Sequence, residues 1–212
     1  MFCMTADKER PCTSFAVTSA KPSEGKSLTA ANIAISYAML GKKVLLIDAD
    51  MRKPTQRRLW RVEKPTGLCD FLAKISKLEL DKVKDLPLWI VCTGTIPPNP
   101  SELLSSERMK HFVEESAKVY DYIIIDTPPI NTVADAQIVS TYVDGVVLVV
   151  KSGDTTEDEL NEAIDAVRRA GGNLCGTVLN DLNIKSVKYA YKYKYGGKYG
   201  YKYSYSESYE AQ

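Results

Sequence analysis

Short, unbroken apolar runs alternate along this chain with longer segments of helical periodicity. The apolar runs have the length of strands and cover residues 15–19, 44–47, 88–91, 122–125, 143–150 and 175–179. Continuous apolar strands that are separated by helices are typical of a parallel sheet buried on both faces. The pattern therefore predicts an α/β fold with a mostly parallel β-sheet and helices on both faces.

Helices are expected between these strands. Three of them cover residues 28–40, 67–72 and 101–119. The third follows a rigid Pro-Pro-Asn-Pro connector, and Ser101 is its predicted cap. Thr156 and Glu159 form a capping box, which predicts the start of a fourth helix.

The end of the chain has a different composition. Nine of the 13 tyrosines lie there, at Tyr189, Tyr191, Tyr193, Tyr195, Tyr199, Tyr201, Tyr203, Tyr205 and Tyr209. Their neighbours are mostly lysine, glycine and serine, which bury too little apolar surface to offset the entropy of ordering. We therefore expect a folded domain over residues 1–184 and a disordered, tyrosine-rich tail over residues 185–212.

The charge divides in the same way. Six lysines and two glutamates give the segment from Lys185 onward a charge of +4, which leaves −3 for the rest of the net +1. Such a tail suits either a substrate displayed on its own enzyme or a binding extension for RNA or anionic lipid. The overall charge by itself gives no indication of nucleic-acid binding, and no nucleic-acid partner is expected.

Other classes of protein are disfavoured by composition. Five cysteines, Cys3, Cys12, Cys69, Cys92 and Cys175, form no CxxC pair, which indicates reduced thiols rather than a zinc site or disulfides. The apolar runs fall far short of the ~20 residues that span a bilayer, and the N-terminus has no signal-peptide core. We expect a cytoplasmic protein that reaches a membrane only through a partner.

Residues 21–27, Lys-Pro-Ser-Glu-Gly-Lys-Ser, connect the first strand to the first helix. Gly25, Lys26 and Ser27 match the second half of a P-loop, which needs a tight turn, an ammonium group and a hydroxyl for magnesium at a helix N-terminus. Ala20 stands where the first glycine of the motif would be. An ordinary strand-to-helix turn with a capping serine is the alternative interpretation.

Polar side chains also follow three other strands. Asp48 and Asp50 come after the second apolar run, Asp126 comes after the fourth, at 122–125, and Asn180 comes after the last. Ligands of parallel sheets bind at the carboxyl ends of the strands. A carboxylate there needs a counter-charge, and magnesium on a nucleotide would supply it. Turn capping is the alternative for each aspartate taken alone.

Together these segments resemble the Walker A, Walker A′ and Walker B motifs of the bacterial tyrosine kinases, cytoplasmic regulators of capsule and exopolysaccharide synthesis related to MinD and ParA ATPases. Residues 97–104 and 178–180 also resemble that family, and the tyrosine cluster resembles its autophosphorylation site. The resemblance implies a P-loop NTPase-like fold, ATP and Mg²⁺ as cofactors, and phosphorylation of the chain's own tail and of other protein tyrosines.

The resemblance also implies roles for individual residues. The nucleotide would be bound by Ser23, Glu24, Gly25, Lys26, Ser27, Leu28 and Asn180, with Asn180 on the adenine. Asp50 and Asp126 would hold or position the magnesium together with Ser27. Asp48 is similar to the base that the family is proposed to use for the incoming phenol.

Three positions depart from the family's pattern. Ser23 replaces a frequent glycine, which is tolerable only if the backbone there avoids positive φ. Lys21 stands where MinD- and ParA-type ATPases carry a lysine that reaches across a dimer, but Pro-Ser follows it instead of Gly-Gly, so we expect a solvated loop lysine. The third is the absence of the N-terminal Glu-x-x-Arg-x-x-Arg helix that builds rings, which leaves the subunit contacts of the expected homo-oligomer open.

The resemblance implies one further partner, the cytoplasmic end of a membrane-embedded, Wzz-like polysaccharide co-polymerase that activates the kinase. Two other functions remain open. The chain could be a MinD/ParA-like ATPase that switches partners without phosphorylating protein. It could also be a binding module that acts through its tail and has a degenerate P-loop.

Overall fold

A seven-stranded sheet forms the centre of the structure, a computed structural model that describes residues 13–182. The strands are β1 (Ser14–Ser19), β2 (Val44–Asp48), β3 (Asp81–Lys82), β4 (Leu88–Val91), β5 (Tyr122–Asp126), β6 (Gly145–Lys151) and β7 (Leu174–Asn180). Their order is β3-β4-β2-β5-β1-β6-β7, and all neighbours are parallel except β3 and β4. The predicted mostly parallel α/β sheet is confirmed.

Helices lie on both faces of this sheet. They are α1 (Lys26–Met39), α2 (Gln56–Trp60), α3 (Leu68–Leu72), α4 (Pro100–Ser105), α5 (Glu107–Ala117), α6 (Asp135–Ser140) and α7 (Glu157–Arg169). Among residues 13–182, no helix is long and apolar enough to cross a membrane.

The side chains of the strands divide between two cores, one on each face. In β5, Ile124 packs into the core that contains α1, whereas Ile123 and Ile125 pack into the core that contains α5, α6 and α7. The alanines of α1 keep that helix close to the sheet, since small side chains permit close approach. Both faces are buried because successive strand residues point in opposite directions.

The predicted single helix over residues 101–119 is wrong, since the chain breaks at Ser106. Ser106 is extended (φ −66°, ψ 146°), ends α4 and caps α5. Its hydroxyl donates to the carbonyl of Leu103 at 2.6 Å and accepts from the amide of Met109 at 3.2 Å. The cap of α4 is Asn99 rather than Ser101, because Pro100 takes the first helical position, which needs no N–H donor.

The capping box at the start of α7 is confirmed. Thr156 Oγ1 accepts from the amide of Glu159 at 3.2 Å, and Glu159 Oε2 accepts from the amide of Thr156 at 2.8 Å. Two N–H groups that the helix cannot satisfy itself are thus paired.

The three strands β2, β5 and β1 are adjacent, so their carboxyl ends form one edge of the sheet. Asp48 is directly opposite Asp126 in the register of β2 and β5, and Val17 of β1 pairs with Asp126 on the other side. The segment after β1 leads into α1. The topology therefore brings the P-loop-like turn and the strand-end aspartates to one place.

Candidate active site

The turn before α1 depends on a glycine at position 25. Gly25 has φ +88°, and a Cβ atom there would lie 2.1 Å from Nδ2 of Asn180. A side chain would thus be strained and would collide with the end of β7. Asn180 Nδ2 also donates to the carbonyl of Glu24 at 2.9 Å, so β7 holds the turn in place.

Ser23 adopts the positive φ that we expected a residue with a side chain to avoid. Its φ is +67°, in the left-handed region, although serine has a Cβ atom. This conformation costs about 1–2 kcal/mol for an L-residue. The loop therefore keeps the geometry of a glycine at this position.

Glu24 and Lys21 attach the loop to the segment before α7. Glu24 is fully buried; Oε2 accepts from the amide of Lys21 at 2.8 Å, and Oε1 accepts from the hydroxyl of Thr155. The Lys21 ammonium lies 3.1 Å from Glu159 Oε2 and donates to the carbonyl of Asp154 at 2.9 Å. Lys21 is thus a loop lysine whose side chain stays 30% exposed, and the addition to the expected solvated lysine is its ion pair with a carboxylate of α7.

Lys26 lies among the predicted carboxylates. Its Nζ is 2.7 Å from Asp50 Oδ2, 3.7 Å from Asp126 Oδ1 and 3.2 Å from the hydroxyl of Ser27. Burial lowers the pKa of Lys26, but the charges of Asp126 and Asp50 outweigh it, and the net shift of the pKa is upward. The ammonium therefore stays charged and holds the acidic groups together.

Asp48 is fully buried behind α2. Its Oδ2 accepts from the amides of Thr55 at 3.1 Å and Gln56 at 2.9 Å, while Oδ1 has no hydrogen-bond partner. Burial, with the nearby charge of Asp126, raises the pKa of Asp48 to about 8. Burial also raises the pKa of Asp126. Unlike an exposed carboxyl, Asp48 can therefore exchange a proton near neutral pH.

Gln56 is a residue of this site that the sequence analysis missed. It is fully buried, and its Nε2 donates to Asp126 Oδ2 and to the carbonyl of Ser27, both at 2.9 Å. Its Oε1 accepts from the indole of Trp60 at 3.0 Å. A glutamine eight residues after an aspartate belongs to none of the phosphate- or metal-binding motifs of the sequence, so the sequence carries no signal for it.

Arg52 ties the loop after β2 to two distant helices. Its Nε lies 2.8 Å from Asp135 Oδ2, and its Nη2 lies 3.2 Å from Asp135 Oδ1. Ser101 Oγ donates to the same Asp135 at 2.6 Å. The segment around Ser101 thus helps to fix the loop that carries Asp50.

A cavity of about 490 Å³ opens beside these groups. Of the predicted residues, Ser23, Gly25, Lys26, Ser27, Leu28 and Asp50 line it, whereas Glu24, Asp48, Asp126 and Asn180 do not. The basic side chains of Arg52, Lys53 and Arg58 are also part of the lining. The cavity therefore combines an ammonium at its base with cationic walls, which favours a polyanionic ligand.

The donor set suits a magnesium ion on a nucleotide. Asp126 Oδ1 is buried without a hydrogen bond, although Lys26 lies near it, and such an orphaned oxygen is available to a cation. No cluster of three His, Cys, Asp or Glu side chains among residues 13–182 could hold a metal by itself. Mg²⁺ is commonly bound by one or two carboxylates together with substrate phosphates.

A parallel sheet that gathers a phosphate-binding turn, an ammonium and strand-end carboxylates at one edge defines a P-loop nucleotide-binding protein. In agreement, a family model described as an AAA domain matches residues 13–173. Tyrosine-protein kinase YwqD of Bacillus subtilis (strain 168) is 44% identical over 189 residues, which cover 88% of this chain and 80% of that protein. The chain therefore belongs to the bacterial tyrosine-protein kinases, and the resemblance inferred from the motifs is confirmed.

Solved structures agree with this assignment. The kinase domain of Escherichia coli tyrosine kinase ETK matches with a TM-score of 0.77 at 34% identity, over 79% of this chain and 67% of that one. MinD of Pyrococcus horikoshii OT3, solved with Mg-ADP, matches with a TM-score of 0.67 at 20% identity, over 79% and 69% of the two chains. The second likeness shows the fold alone, and the predicted P-loop NTPase-like fold is confirmed.

The predicted phosphorylation sites and the boundary between domain and tail lie outside the described residues. The roles assigned to the individual site residues stay predictions. What the geometry adds is their proximity, since Lys26, Asp50 and Asp126 meet within ion-pair distance.

Proposed function

We propose that this chain transfers the γ-phosphoryl group of ATP to tyrosine hydroxyls, first of all those of its own tail. The observation that carries the proposal is the position of Lys26, held between Asp50 and Asp126 at the base of a cationic cavity. Phosphoryl transfer depends mainly on positioning and on neutralising charge, and this cavity offers both.

The phosphates would bind at the turn before α1. Backbone amides of residues 23–27 and the N-terminus of this 14-residue helix supply donors, and the ammonium of Lys26 supplies a full charge. A phosphate oxygen would compete with Asp50 for that ammonium. Asn180, which already contacts the turn, is the proposed contact of the adenine.

Ser27, Asp50 and Asp126 would hold the magnesium ion. The chemistry that the ion would supply there is a positive charge next to the negative charge that develops during transfer. Gln56 keeps one oxygen of Asp126 engaged, so the other oxygen faces the ion pair with Lys26. The glutamine thereby fixes which oxygen of Asp126 is available.

Asp48 remains the proposed base for the phenol. Its pKa of about 8 lies closer to that of a tyrosine hydroxyl, about 10, than an ordinary carboxyl's would. Because α2 covers Asp48, its unpaired Oδ1 would accept the proton only after α2 shifts or through an intervening water. A loose transition state lets the proton leave late, so the base contributes less than the positioned charges.

The tail has the length and the charge for this role. If the tail is disordered as predicted, twenty of its residues would span roughly 25 Å on average and at most about 70 Å, a reach that would permit transfer within one chain or to a neighbour. Each phosphate adds about −1.5 to −2 charges, so three phosphates would reverse the sign of a tail that starts at +4.

The wider setting follows the family resemblance. We propose a cytoplasmic homo-oligomer that regulates capsule or exopolysaccharide synthesis and export, and that meets the membrane through a Wzz-like polysaccharide co-polymerase. Other protein tyrosines are the proposed further substrates.

The test is mass spectrometry of the purified full chain after incubation with Mg²⁺ and ATP. The wild type is expected to carry phosphate on tail tyrosines, and Lys26→Met is expected to lose at least 100-fold in rate, as when a main charge-stabilising group is removed. Lys42→Met, at an exposed lysine, is the matched control and is expected to behave as wild type.

Phosphotyrosine that persists in a folded Lys26→Met variant would refute the site. Wild-type chain that releases ADP but keeps unmodified tyrosines would instead favour the MinD/ParA-like ATPase. Absence of nucleotide binding in calorimetry would favour the binding module with a degenerate P-loop.

A further inference from the structure

A second cavity, of about 440 Å³, lies next to the nucleotide cavity. Arg58 lines both cavities, so one side chain forms the wall between them. Arg57 also lines the second cavity, and no carboxylate among the described residues does. The proposed transfer does not use this space.

The two arginines differ in a way that suits an anionic ligand. Arg57 is already oriented, because Nε donates to the carbonyl of Val62 at 3.2 Å and Nη2 to that of Glu63 at 3.0 Å. The Arg58 side chain is exposed, and its guanidinium makes no hydrogen bond or ion pair with any described residue. One guanidinium that is held by hydrogen bonds and one that has no side-chain partner can donate jointly to a phosphate, and such charge-assisted hydrogen bonds are strong.

The remaining walls are suited to an aromatic ring. Pro54, Val62 and Ile96 contribute apolar surface, and Ile96 is 59% exposed, which is high for so large an apolar side chain. An apolar wall beside two guanidinium groups accommodates a group that is hydrophobic along its length and dianionic at its tip. Phosphotyrosine has that form, whereas phosphoserine has no ring to cover the apolar wall.

We propose that the second cavity binds a phosphorylated tyrosine of this chain's own tail, or of the tail of a second copy. The proposal rests on the proposed tail phosphorylation. Charge makes this binding depend on phosphorylation. The unmodified tail is cationic and would be repelled by the two arginines, whereas each phosphate adds about −1.5 to −2 charges and would turn the repulsion into attraction.

The consequence is retention of the product beside the site that made it. A phosphotyrosine that leaves the nucleotide cavity passes Arg58 and stays bound next to it. Several tail tyrosines are spaced by two residues, as at Tyr199, Tyr201 and Tyr203, which are about 7 Å apart in an extended chain. Holding one of them keeps the next within reach of the nucleotide cavity, so successive transfers follow without dissociation.

The experiment measures fluorescence anisotropy of a labelled synthetic peptide with the sequence of residues 199–205. The protein is the full chain with Lys26→Met, so that the peptide is not modified during the measurement. A peptide with phosphotyrosine at position 201 is expected to bind at least tenfold more tightly than the unmodified peptide. It is also expected to bind more tightly than the peptide with phosphoserine at that position.

Variants locate the site. Ile96→Glu and Arg58→Gln are each expected to weaken binding at least tenfold, because one adds a carboxylate to the second cavity and the other removes its uncommitted cation. Leu28→Glu is the matched control, since Leu28 is a similarly exposed apolar residue that lines the nucleotide cavity alone. Arg169→Gln, at an exposed arginine of α7, controls for general charge, and neither control is expected to change affinity more than twofold.

Equal affinity for the phosphotyrosine and phosphoserine peptides would overturn the proposal, since it would show attraction to charge alone. Binding that depends on Leu28 but not on Ile96 would place the peptide in the nucleotide cavity and would equally overturn it. Thermal melting confirms that each variant is folded. The peptide is synthetic, so its binding does not depend on kinase activity, and a failure here leaves the mass-spectrometric test of tail phosphorylation unaffected.

Discussion

At the scale of single residues, Gln56 connects three parts of the site through one side chain. Its amide group donates to Asp126 and to the carbonyl of Ser27, and it accepts from Trp60. Its backbone amide donates to Asp48 as well. Both strand-end aspartates are therefore positioned by one residue that carries no charge and performs no chemistry.

Replacing this amide by an isosteric apolar group tests that role. Gln56→Leu is expected to lower the free energy of unfolding by about 1–3 kcal/mol, because buried acceptors on Ser27 and Asp126 lose their donor. We also expect weaker binding of Mg²⁺ and ADP, since Asp126 loses its orientation. Urea unfolding and calorimetry measure the two effects.

Gln137→Leu is the control for this prediction. Gln137 is half-buried, and its amide makes a single long bond of 3.5 Å, to the carbonyl of Ile130. Gln137→Leu should therefore lower the free energy of unfolding by less than Gln56→Leu does, and it should leave nucleotide binding unchanged. Equal losses in both variants would mean that Gln56 acts only as a generic buried amide.

The sequence predicted the charged members of the site but not their support. Lys26, Asp50 and Asp126 each belong to a motif whose residue types are required by phosphate and metal chemistry. Gln56 is required by none, and its contacts exist only because α2 folds back over the sheet. Ser23 is a related case, since its strained φ follows from the loop and not from its own preference.

At the scale of secondary-structure elements, Ser106 separates two helices that helical periodicity alone would join. α4 and α5 follow one another without a gap longer than this residue. The hydroxyl satisfies one group at the end of α4 and one at the start of α5. The break lets α4 carry Ser101 towards Asp135 while α5 packs Met109 and Val113 into the core.

Removing the hydroxyl should therefore cost stability even though alanine is the better helix former. Ser106→Ala is expected to lower the free energy of unfolding by about 1 kcal/mol, through loss of the cap of α5. Ser105→Ala, one residue earlier, removes an exposed hydroxyl that bonds only the carbonyl of Glu102, and its effect should stay within about 0.5 kcal/mol. A more stable Ser106→Ala protein would show that one continuous helix is the preferred state.

Strands were easier to predict than the short helices. A buried parallel strand is marked by its own apolar run, as for β5. The five-residue α2 has no apolar stripe, since its sequence is Gln-Arg-Arg-Leu-Trp, and it forms because Asp48 accepts its first amides. β3 has only two residues and depends on pairing with β4.

At the scale of the whole molecule, the domain concentrates like charges where the carboxyl ends of its strands meet. Asp50 and Asp126 share one ammonium, Asp48 lies opposite Asp126 in the sheet, and burial raises the pKa of Asp126. When the pKa of a carboxyl is higher in the folded state than in the unfolded state, the carboxyl contributes stability at pH values below its unfolded-state pKa. That contribution is lost as the pH rises through its folded-state pKa. Near neutral pH the charged form of Asp126 therefore weakens the fold that a bound metal and nucleotide would restore.

Asp126→Asn is accordingly expected to stabilise the ligand-free chain by about 0.5–2 kcal/mol, in keeping with the trade-off between stability and function at active sites. The same variant should lose most of the thermal shift that Mg²⁺ and ADP produce in the wild type.

Asp135→Asn provides the contrast, because Asp135 is equally buried but is paired with Arg52 and Ser101. Its loss should destabilise the chain by about 1.5–3 kcal/mol. These predictions are tested by measuring the melting temperatures of both variants with and without Mg²⁺ and ADP. If Asp126→Asn melts at a lower temperature than the wild type in the absence of ligand, the crowded carboxylates do not destabilise the fold.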